Sequence, residues 1–234
     1  MTRGLSPSTR RAISAVFGRL PYGRLGPIYC DEGGAAFWKA KQGPCRRLGS
    51  RVAAALLSRL RPGGRSLYVG AGVAELPALV METLELGRGV SAHNLRQDEV
   101  RLLQPACAGL PFTISAQDAR RARGPFDHLW MLSVLNDPER FPELSRLSYG
   151  RADPVRFQPA RFAAERRAVR ALAQACLDKL CLPALVTTSV EELVWVEEWC
   201  GRRGVSGRAE RTVYPTAIVA DPLCFIRLQS RRRP

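Results

Sequence analysis

A glycine turn between two apolar segments constrains this chain more than any other feature of its sequence. The β-prone run Leu67-Tyr68-Val69 enters the turn Gly70-Ala71-Gly72, and residues 76–86 continue with helical character. Glycine adopts positive φ and lets a ligand approach the backbone without an intervening Cβ, so such a turn at the carboxyl end of a strand suits a nucleotide. Two glycines are equally typical of an ordinary β–α turn, and the rest of the chain must decide between these interpretations.

Length and composition set the outer limits. The 234 residues suffice for one substantial α/β domain without disulfides or metals. No apolar run reaches the roughly 18 residues of a membrane span, and the first residues lack the apolar segment of a secretory signal. Seven cysteines without a C-x-x-C pair and only two histidines, His93 and His128, lead us to expect reduced thiols, a cytoplasmic protein and no metal site.

The net charge of +15 raises the question of a nucleic-acid partner, because basic surfaces attract phosphates. All but three of the 36 basic residues are arginines, as in a GC-rich genome, and they are spread along the whole chain. This distribution favours ordinary solvated arginines over a dedicated nucleic-acid face, which stays open as the second interpretation.

Periodicity and breaker residues predict an alternating order of elements. The predicted helices cover 13–20, 50–61, 76–86, 94–103, 160–180 and 191–200, and the predicted strands cover 66–70, 89–93, 110–116, 126–135, 183–189, 209–220 and 223–228. Ser50 and Asn94 are the predicted caps of their helices, and Asp221-Pro222 is the predicted turn of a closing antiparallel hairpin. Residues 27–41 fit a binding lid and a helix pinned on the core by Phe37 and Trp38 equally well.

Strand–helix repeats followed by a hairpin predict a three-layer α/β domain whose ligand binds at the carboxyl ends of the central strands. From about Ser50 to Leu228 the chain resembles the class I S-adenosylmethionine-dependent methyltransferases, as a divergent member. The resemblance implies a Rossmann-like sheet, mostly parallel with a C-terminal antiparallel hairpin. It also implies a methyltransferase domain over residues 50–234, preceded by an N-terminal helical lid over residues 1–49.

The family's motifs imply a site for S-adenosylmethionine. Where the family has D-x-G-x-G-x-G after its first strand, this chain keeps two glycines but has Tyr68 for the acid and Ala74 for the last glycine. Asn94 stands where the family places an acid on the ribose, although a helix cap explains it equally well, and Asp118 matches the acid near the adenine. The implied cofactor contacts are Tyr68, Gly70, Ala71, Gly72, Asn94, Asp118 and Ser133.

The fourth strand, from Phe126-Asp127 to the sequence SVLND, resembles that of methyltransferases acting on small molecules. At its exit we expect Asn136 to orient the acceptor and Asp137 to act as base, with turn formation the competing role for Asp137. His128 fits a buried packing histidine better than a catalytic one. The predicted substrate-lining residues, for which plain packing is the alternative, are Tyr29, Trp38 and Tyr149.

The sequence therefore predicts methyl transfer from S-adenosylmethionine to a small-molecule acceptor, with no membrane partner. The glycine pattern lacks the third glycine of a dinucleotide-binding turn, which argues against a dehydrogenase. Two alternatives remain open. One is transfer of the aminopropyl or aminocarboxypropyl arm of the same cofactor, and the other is a binding protein on this scaffold that has lost catalysis and engages RNA through its arginines.

Overall fold

The computed structural model describes residues 4–30, 34–151, 153, 155–216, 218 and 221–231. Within them the strands are β1 (Arg65–Val69), β2 (Gly89–His93), β3 (Ile114–Ser115), β4 (Phe126–Met131), β5 (Leu180–Ser189), β6 (Val205–Ala209) and β7 (Leu223–Ser230). The α-helices are α1 (Pro7–Arg19), α2 (Tyr22–Tyr29), α3 (Gly34–Leu57), α4 (Leu76–Leu84), α5 (Gln97–Ala106), α6 (Pro142–Ser148), α7 (Pro159–Leu177) and α8 (Leu193–Arg203). No helix in these ranges is long and apolar enough to cross a membrane.

The strands form one seven-stranded sheet in the order β3-β2-β1-β4-β5-β7-β6. Strands β1, β2 and β3 are parallel, as are β4 and β5, whereas β7 runs antiparallel to both of its neighbours. This mixed sheet confirms the predicted fold class. By their internal contacts the residues divide into an N-terminal unit, Met1–Ala122 with Tyr214–Ala220, and a C-terminal unit, Arg123–Val213 with Asp221–Pro234.

Helix α1 opens the N-terminal unit with a side-chain cap. The Ser6 hydroxyl accepts a hydrogen bond from the Thr9 N–H at 3.1 Å, which satisfies one of the free donors at a helix start. Ile13, Val16 and Phe17 are buried at the spacing of one helix face. The short helix predicted over 13–20 is therefore present and begins earlier.

Helix α3 corrects the prediction that a helix starts at Ser50. It begins at Gly34 and continues through residues 49 and 50, and the Ser50 hydroxyl bonds to the Arg46 carbonyl at 2.8 Å inside the helix. The adjacent Gly49 serves packing, since a Cβ there would lie 2.5 Å from the Pro77 ring. The capping tendency of Ser50 is therefore not used, because the helix continues through this contact.

Trp38 decides between the two interpretations of residues 27–41. Its side chain is fully buried, with its ring 4.9 Å from that of Tyr29 and 5.6 Å from that of Tyr22. The described part of this segment is thus a helix packed on the core. Trp38 is not exposed to line a substrate pocket, which corrects that prediction; Asp31, Glu32 and Gly33 lie outside the described residues.

A buried ion pair links α4 to the segment that follows it, and two hydroxyls of β1 bond to the pair. Arg88 Nε lies 3.0 Å from Glu82 Oε2, with both side chains fully buried, and the hydroxyls of Ser66 and Tyr68 donate to the same carboxylate. A buried charge pair is retained only when its remaining lone pairs and protons are satisfied, as they are here. Tyr68 therefore belongs to the structural core of the N-terminal unit.

The C-terminal unit is built on β4 and β5, whose residues are largely buried. His128 Nε2 lies 2.9 Å from Thr187 Oγ1 and the imidazole is fully buried, in agreement with a packing histidine. Helix α8 ends at Arg203 and is capped by Gly204, whose φ of +63° is the left-handed conformation that glycine adopts most easily.

The closing hairpin differs from the prediction. Strand β6 lies at Val205–Ala209, directly after the α8 cap, and residues 210–222 connect it to β7. Asp221 is fully buried and its carboxylate accepts hydrogen bonds, so Asp221-Pro222 is not the exposed turn that the dipeptide suggested. The predicted third strand is likewise shortened to Ile114–Ser115.

Candidate functional site

The backbone of the glycine turn is fully engaged by the protein's own groups. Gly70 has a φ of +75° directly after β1, and the Ala71 N–H donates to the His93 carbonyl at 2.8 Å. The Gly72 N–H donates to Glu75 Oε2 at 2.9 Å, and the Val73 N–H donates to the Tyr29 hydroxyl at 3.1 Å. Residues 71–73 therefore present no free backbone N–H to a phosphate.

Two carboxylates and a phenol close around Gly72. A Cβ at this position would lie 2.6 Å from Glu99 Oε1, 2.8 Å from the Tyr29 hydroxyl and 3.5 Å from Glu75 Oε2. Only a glycine allows these side chains to approach so closely. The close approach explains why position 72 is a glycine, whereas its φ of −118° is open to any residue. We call Tyr29, Gly72, Glu75, Asn94 and Glu99 the acidic turn.

Glu99 is the centre of the acidic turn. Its carboxylate accepts hydrogen bonds from the Tyr29 hydroxyl and from Asn94 Nδ2, the latter at 3.0 Å. Burial raises the pKa of Glu99, while these two hydrogen bonds and the charge of Arg96 oppose the rise. Burial and the Glu99 charge raise the pKa of the Tyr29 phenol well above its usual value, so the phenol stays protonated and donates.

The charge of the acidic turn selects among nucleotide ligands. Two carboxylates beside a turn without free N–H groups repel a pyrophosphate, and this repulsion is strong where water is excluded. A group with net positive charge is attracted at the same place. The acidic turn therefore fits a cationic ligand such as a sulfonium with an ammonium group and does not fit a dinucleotide or a nucleoside triphosphate.

Two of the residues predicted to contact the cofactor are structural. Tyr68 is fully buried and its hydroxyl lies 2.6 Å from Glu82 Oε1, so its side chain does not face a ligand. Asn94 donates to the Ala71 carbonyl and to Glu99, both at 3.0 Å, and accepts from the Arg96 N–H. Its side chain holds the turn together and leaves no N–H for a ribose.

The predicted cap of α5 is also corrected. The helix starts at Gln97 with Arg96 at the cap position and no side-chain bond there, whereas Asn94 is engaged by the turn. The amide of Asn94 is 6% exposed, and a buried amide must satisfy its own hydrogen bonds first.

Asp118 follows β3 and caps the short 3-10 helix Ala119–Arg121. Its carboxylate accepts from the Arg120 N–H at 2.9 Å and pairs with the Arg120 guanidinium at 2.6 Å. A quarter of its side chain is exposed. The Asp118 charge also opposes the lowering of the His93 pKa that burial causes, so the ends of β2 and β3 are electrostatically coupled.

A second polar cluster lies at the exit of β4 in the C-terminal unit. The N–H groups of Ser133, Val134 and Leu135 donate to the Glu192 carboxylate at 2.9, 2.6 and 2.5 Å. Ser133 has a φ of +54°, an uncommon conformation for a residue with a Cβ, and it is held by this contact. Burial raises the pKa of Glu192 to about 7, while its hydrogen bonds to the backbone oppose the rise.

Asn136 follows this loop and is fixed by two neighbours. Its Nδ2 donates to the Tyr149 hydroxyl at 3.0 Å and to Asp221 Oδ2 at 3.2 Å. Its Oδ1 is buried and has no hydrogen-bond partner among the described residues. The amide is thus oriented with one acceptor atom left over, and the buried Ser133 Oγ is another polar atom without a partner in the same part of the chain.

Asp137 forms a turn through its side chain and its carbonyl. Its Oδ1 accepts from the Glu139 N–H at 3.0 Å and its carbonyl accepts from the Phe141 N–H at 2.8 Å, which is the geometry of a turn. Asn136 and Tyr149, predicted separately from the sequence as acceptor-orienting and substrate-lining residues, are joined by a hydrogen bond. Asp221 and Glu192 were not predicted from the sequence as site residues, because Asp221 was interpreted as part of a hairpin turn and Glu192 lay within the predicted helix 191–200.

Solved structures provide the comparison with known proteins. No protein-family model matches the sequence, and no curated protein matches it. The chain is similar to magnesium protoporphyrin IX methyltransferase from Synechocystis PCC 6803 with bound S-adenosylmethionine, at 14% identity and a TM-score of 0.53, covering 97% of this chain and 100% of that one. The same enzyme with bound S-adenosylhomocysteine matches at 15% identity and a TM-score of 0.51, covering 94% of this chain and 100% of that one.

At these identities the likeness establishes the fold. The chain has the seven-stranded Rossmann-like fold of the class I S-adenosylmethionine-dependent methyltransferases, as the sequence resemblance implied.

Proposed function

We propose that this protein binds S-adenosylmethionine at the acidic turn and transfers its methyl group to a small-molecule acceptor. The observation that carries the proposal is the acidic turn itself, placed after β1 of a methyltransferase fold. S-adenosylmethionine has net positive charge because its sulfonium and ammonium groups outweigh its carboxylate. Dinucleotides and nucleoside triphosphates are anionic and are disfavoured by the same two carboxylates.

The residues present fit this cofactor by charge. Glu75 and Glu99 would attract its cationic methionine end, and the Tyr29 hydroxyl beside them would bond the same end. Asp118, partly exposed after β3, would accept from the adenine amino group. Bound S-adenosylmethionine supplies an activated methyl group on a sulfonium.

The acceptor side of the proposal rests on the cluster at the β4 exit. Methyl transfer is an in-line displacement, so alignment of the acceptor in a water-poor site supplies much of the catalysis. Asn136 Oδ1, which has no partner among the described residues, would accept a hydrogen bond from an N–H or O–H of the acceptor. Asp221 and Tyr149 orient the amide for this role. Asp137 is engaged in a turn, which favours Asn136 as the residue that orients the acceptor.

Calorimetry of the full chain tests the cofactor assignment. We expect S-adenosylmethionine to bind with a Kd of about 100 μM or tighter, whereas ATP and NADP should not bind at 1 mM, roughly the weak end of measurable affinity. Glu99→Gln keeps the shape of the side chain and removes a charge, so it should weaken binding by about tenfold, the equivalent of one lost charged hydrogen bond. The absence of heat with millimolar S-adenosylmethionine would refute the proposal.

A labelling experiment tests the acceptor class. The protein is incubated with methyl-labelled S-adenosylmethionine and a cell extract separated into metabolites below about 1 kDa and purified RNA. Label is expected in the metabolite fraction. Label in the RNA would contradict a small-molecule acceptor, and transfer of the aminopropyl arm in place of methyl would be recognised by release of methylthioadenosine.

A further inference from the structure

Charge is segregated along this chain in a way that its arginine content alone does not produce. Of the 21 acidic residues, 19 follow residue 74, and the described residues 4–30 and 34–74 contain none. The same two segments carry twelve basic residues. Codon usage explains a preference for arginine over lysine, but it does not explain why the elements α1, α2, α3 and β1 contain no acid and why only Asp31 and Glu32 lie between them.

Helix α3 presents four of these basic residues on one face. At about 100° per residue, Lys39, Arg46, Arg47 and Arg51 fall within an arc of roughly 140° and extend over about 18 Å of the helix. All four are exposed, and the fully buried Trp38 lies on the opposite side of the helix. We call these four residues the α3 basic face.

Helix α1, which packs against α3 in the same unit, adds to this charge. Arg10, Arg11 and Arg19 are exposed, while the apolar residues of α1 are buried. Within the described residues, these arginines make no ion pair, and the same holds for Lys39, Arg46 and Arg47. The Arg51 guanidinium lies 5.9 Å from the centre of the Tyr214 ring.

Arginines of the C-terminal unit behave differently, since many of them pair with an acid. The pairs lie at 2.5 to 3.0 Å: Arg146–Glu143, Arg161–Glu165, Arg170–Glu198, Arg203–Asp178 and Arg227–Glu210. Neutralised arginines attract a polyanion weakly. The α3 basic face makes no ion pair within the described residues, and residues 34–74 supply no carboxylate to it.

We propose that the α3 basic face binds the sugar–phosphate backbone of a nucleic acid. Arginine forms bidentate, charge-assisted hydrogen bonds with phosphate oxygens, and a run of exposed cations gains further from the release of counterions. This inference goes beyond the proposed methyl transfer and does not depend on it, because the surface is made by helices before β1 and needs no cofactor.

A membrane is the competing polyanionic surface, and burial argues against it. Interfacial helices insert an exposed apolar face among the lipids beside their basic residues. Here Ile13, Val16 and Phe17 are between 0 and 4% exposed, and none of the large apolar residues that are exposed in the described chain lies in α1, α2 or α3. This surface therefore carries positive charge but has no exposed apolar side chains that could insert among lipids.

Fluorescence anisotropy with a mixed-sequence 20-nucleotide RNA tests the proposal. We expect a Kd on the order of 10 μM at low salt, in the range of non-specific binding, and a slope of about −3 for log affinity against log salt, since four phosphates are contacted. The variant Lys39→Gln/Arg46→Gln/Arg47→Gln/Arg51→Gln should bind at least about 30-fold more weakly and with a nearly flat salt dependence.

A second quadruple variant controls for net charge. Arg166→Gln/Arg167→Gln/Arg208→Gln/Arg211→Gln removes the same charge from exposed positions of the C-terminal unit and should keep the affinity within about threefold. The melting temperature and calorimetry with S-adenosylmethionine show whether both variants are folded. Loss of RNA binding in a folded variant therefore concerns the α3 basic face, and the absence of S-adenosylmethionine binding in the unmodified chain concerns the proposed methyl transfer. Equal losses in the two variants, a flat salt dependence of the unmodified chain, or binding to phosphatidylserine vesicles without RNA binding would each overturn the proposal.

Discussion

Glu99 and Glu192 are both almost fully buried carboxylates beside the exit of a strand, yet they are held in opposite ways. Glu99 accepts from two side chains, Tyr29 and Asn94, in the N-terminal unit. Glu192 accepts from three consecutive backbone N–H groups in the C-terminal unit. A backbone donor cannot turn away when its acceptor is lost, whereas a side chain can.

This difference assigns separate tasks to the two carboxylates. Glu192 holds the β4 exit in shape, including the left-handed Ser133, and so fixes the backbone that leads into Asn136. Glu99 is bonded by side-chain donors beside Gly72, and under the proposed function a ligand would take the place of one of these hydrogen bonds. Substitution of Glu192 should therefore change stability most, and substitution around Gly72 should change ligand affinity most.

The largest effect is expected from Glu192→Ala. The change leaves three buried N–H groups without an acceptor, and each unsatisfied donor costs 1 to 3 kcal/mol, so a loss of about 4 kcal/mol in the free energy of unfolding follows after partial relaxation. Urea denaturation measures it. Glu192→Gln keeps one acceptor oxygen and should lose about 2 kcal/mol. A loss below about 1 kcal/mol in the alanine variant would show that the β4 exit does not depend on this carboxylate.

The pH dependence of stability should carry the signature of Glu192. The pKa of Glu192 is about 7 in the folded state and 4.5 as the ordinary value. Between pH 4.5 and 7 the folded state therefore binds more of this proton than the unfolded state does. The contribution of Glu192 is then fully present below pH 4.5 and falls as pH rises through 7, by about 3 kcal/mol in total.

The difference in unfolding free energy between the unmodified chain and Glu192→Gln isolates this contribution, since the other groups cancel. Measured by urea denaturation from pH 5 to 8, the difference should shrink steadily as pH rises. A difference that stays constant across this range would contradict the raised pKa.

A smaller effect, seen mainly in ligand affinity, is expected from Gly72→Ala. The new Cβ would meet Glu99 Oε1 and the Tyr29 hydroxyl at less than 3 Å, so both side chains must move. We expect about a tenfold loss of affinity for S-adenosylmethionine, or about 1.4 kcal/mol, with a similar or smaller loss of stability. Calorimetry gives the first quantity and urea denaturation the second.

Two variants serve as controls for that measurement. Gly18→Ala lies in open space on helix α1 and should stabilise the fold by up to about 1 kcal/mol without a change of affinity. Tyr68→Phe removes the buried bond to Glu82, should cost about 1 kcal/mol of stability, and should leave the affinity unchanged. An affinity loss in Tyr68→Phe equal to that in Gly72→Ala would restore Tyr68 as a cofactor contact.

The fold was largely accessible from the sequence. Local sequence patterns predicted several elements. They are the continuous apolar run of β4, the breakers around β1 and β2, and the amphipathic pattern of α7, and apolar residues of these patterns are buried in the structure. The prediction failed where local signals compete with contacts distant in the chain. Ser50 was predicted to cap a helix but lies inside α3, where the adjacent Gly49 packs on Pro77, and Asp221 was predicted to form a turn but is buried against Asn136.

The candidate site was accessible only in part. The sequence predicted Gly70, Gly72, Asn136 and Tyr149 as site residues because glycines at a strand exit and polar residues after a buried strand are visible patterns. Glu99 was not found, since a glutamate within an amphipathic helix has the same sequence signature whether it faces solvent or the core. Its burial is fixed by the partner that meets it, Tyr29, which lies 70 residues earlier in the chain.

The sequence by itself determined the order of strands and helices, the position of the glycine turn and the scarcity of acids before residue 75, where only Asp31 and Glu32 occur, because these depend on local composition and spacing. Only the tertiary structure decided which side chains face that turn. The Tyr68 hydroxyl bonds to Glu82 of the Glu82–Arg88 pair, and the Asn94 amide bonds to the backbone of the turn. Glu75 and Glu99 are the charged side chains beside Gly72. Hydrogen bonds of buried polar groups are chosen by whichever partners packing brings within about 3 Å, and sequence spacing does not encode that choice.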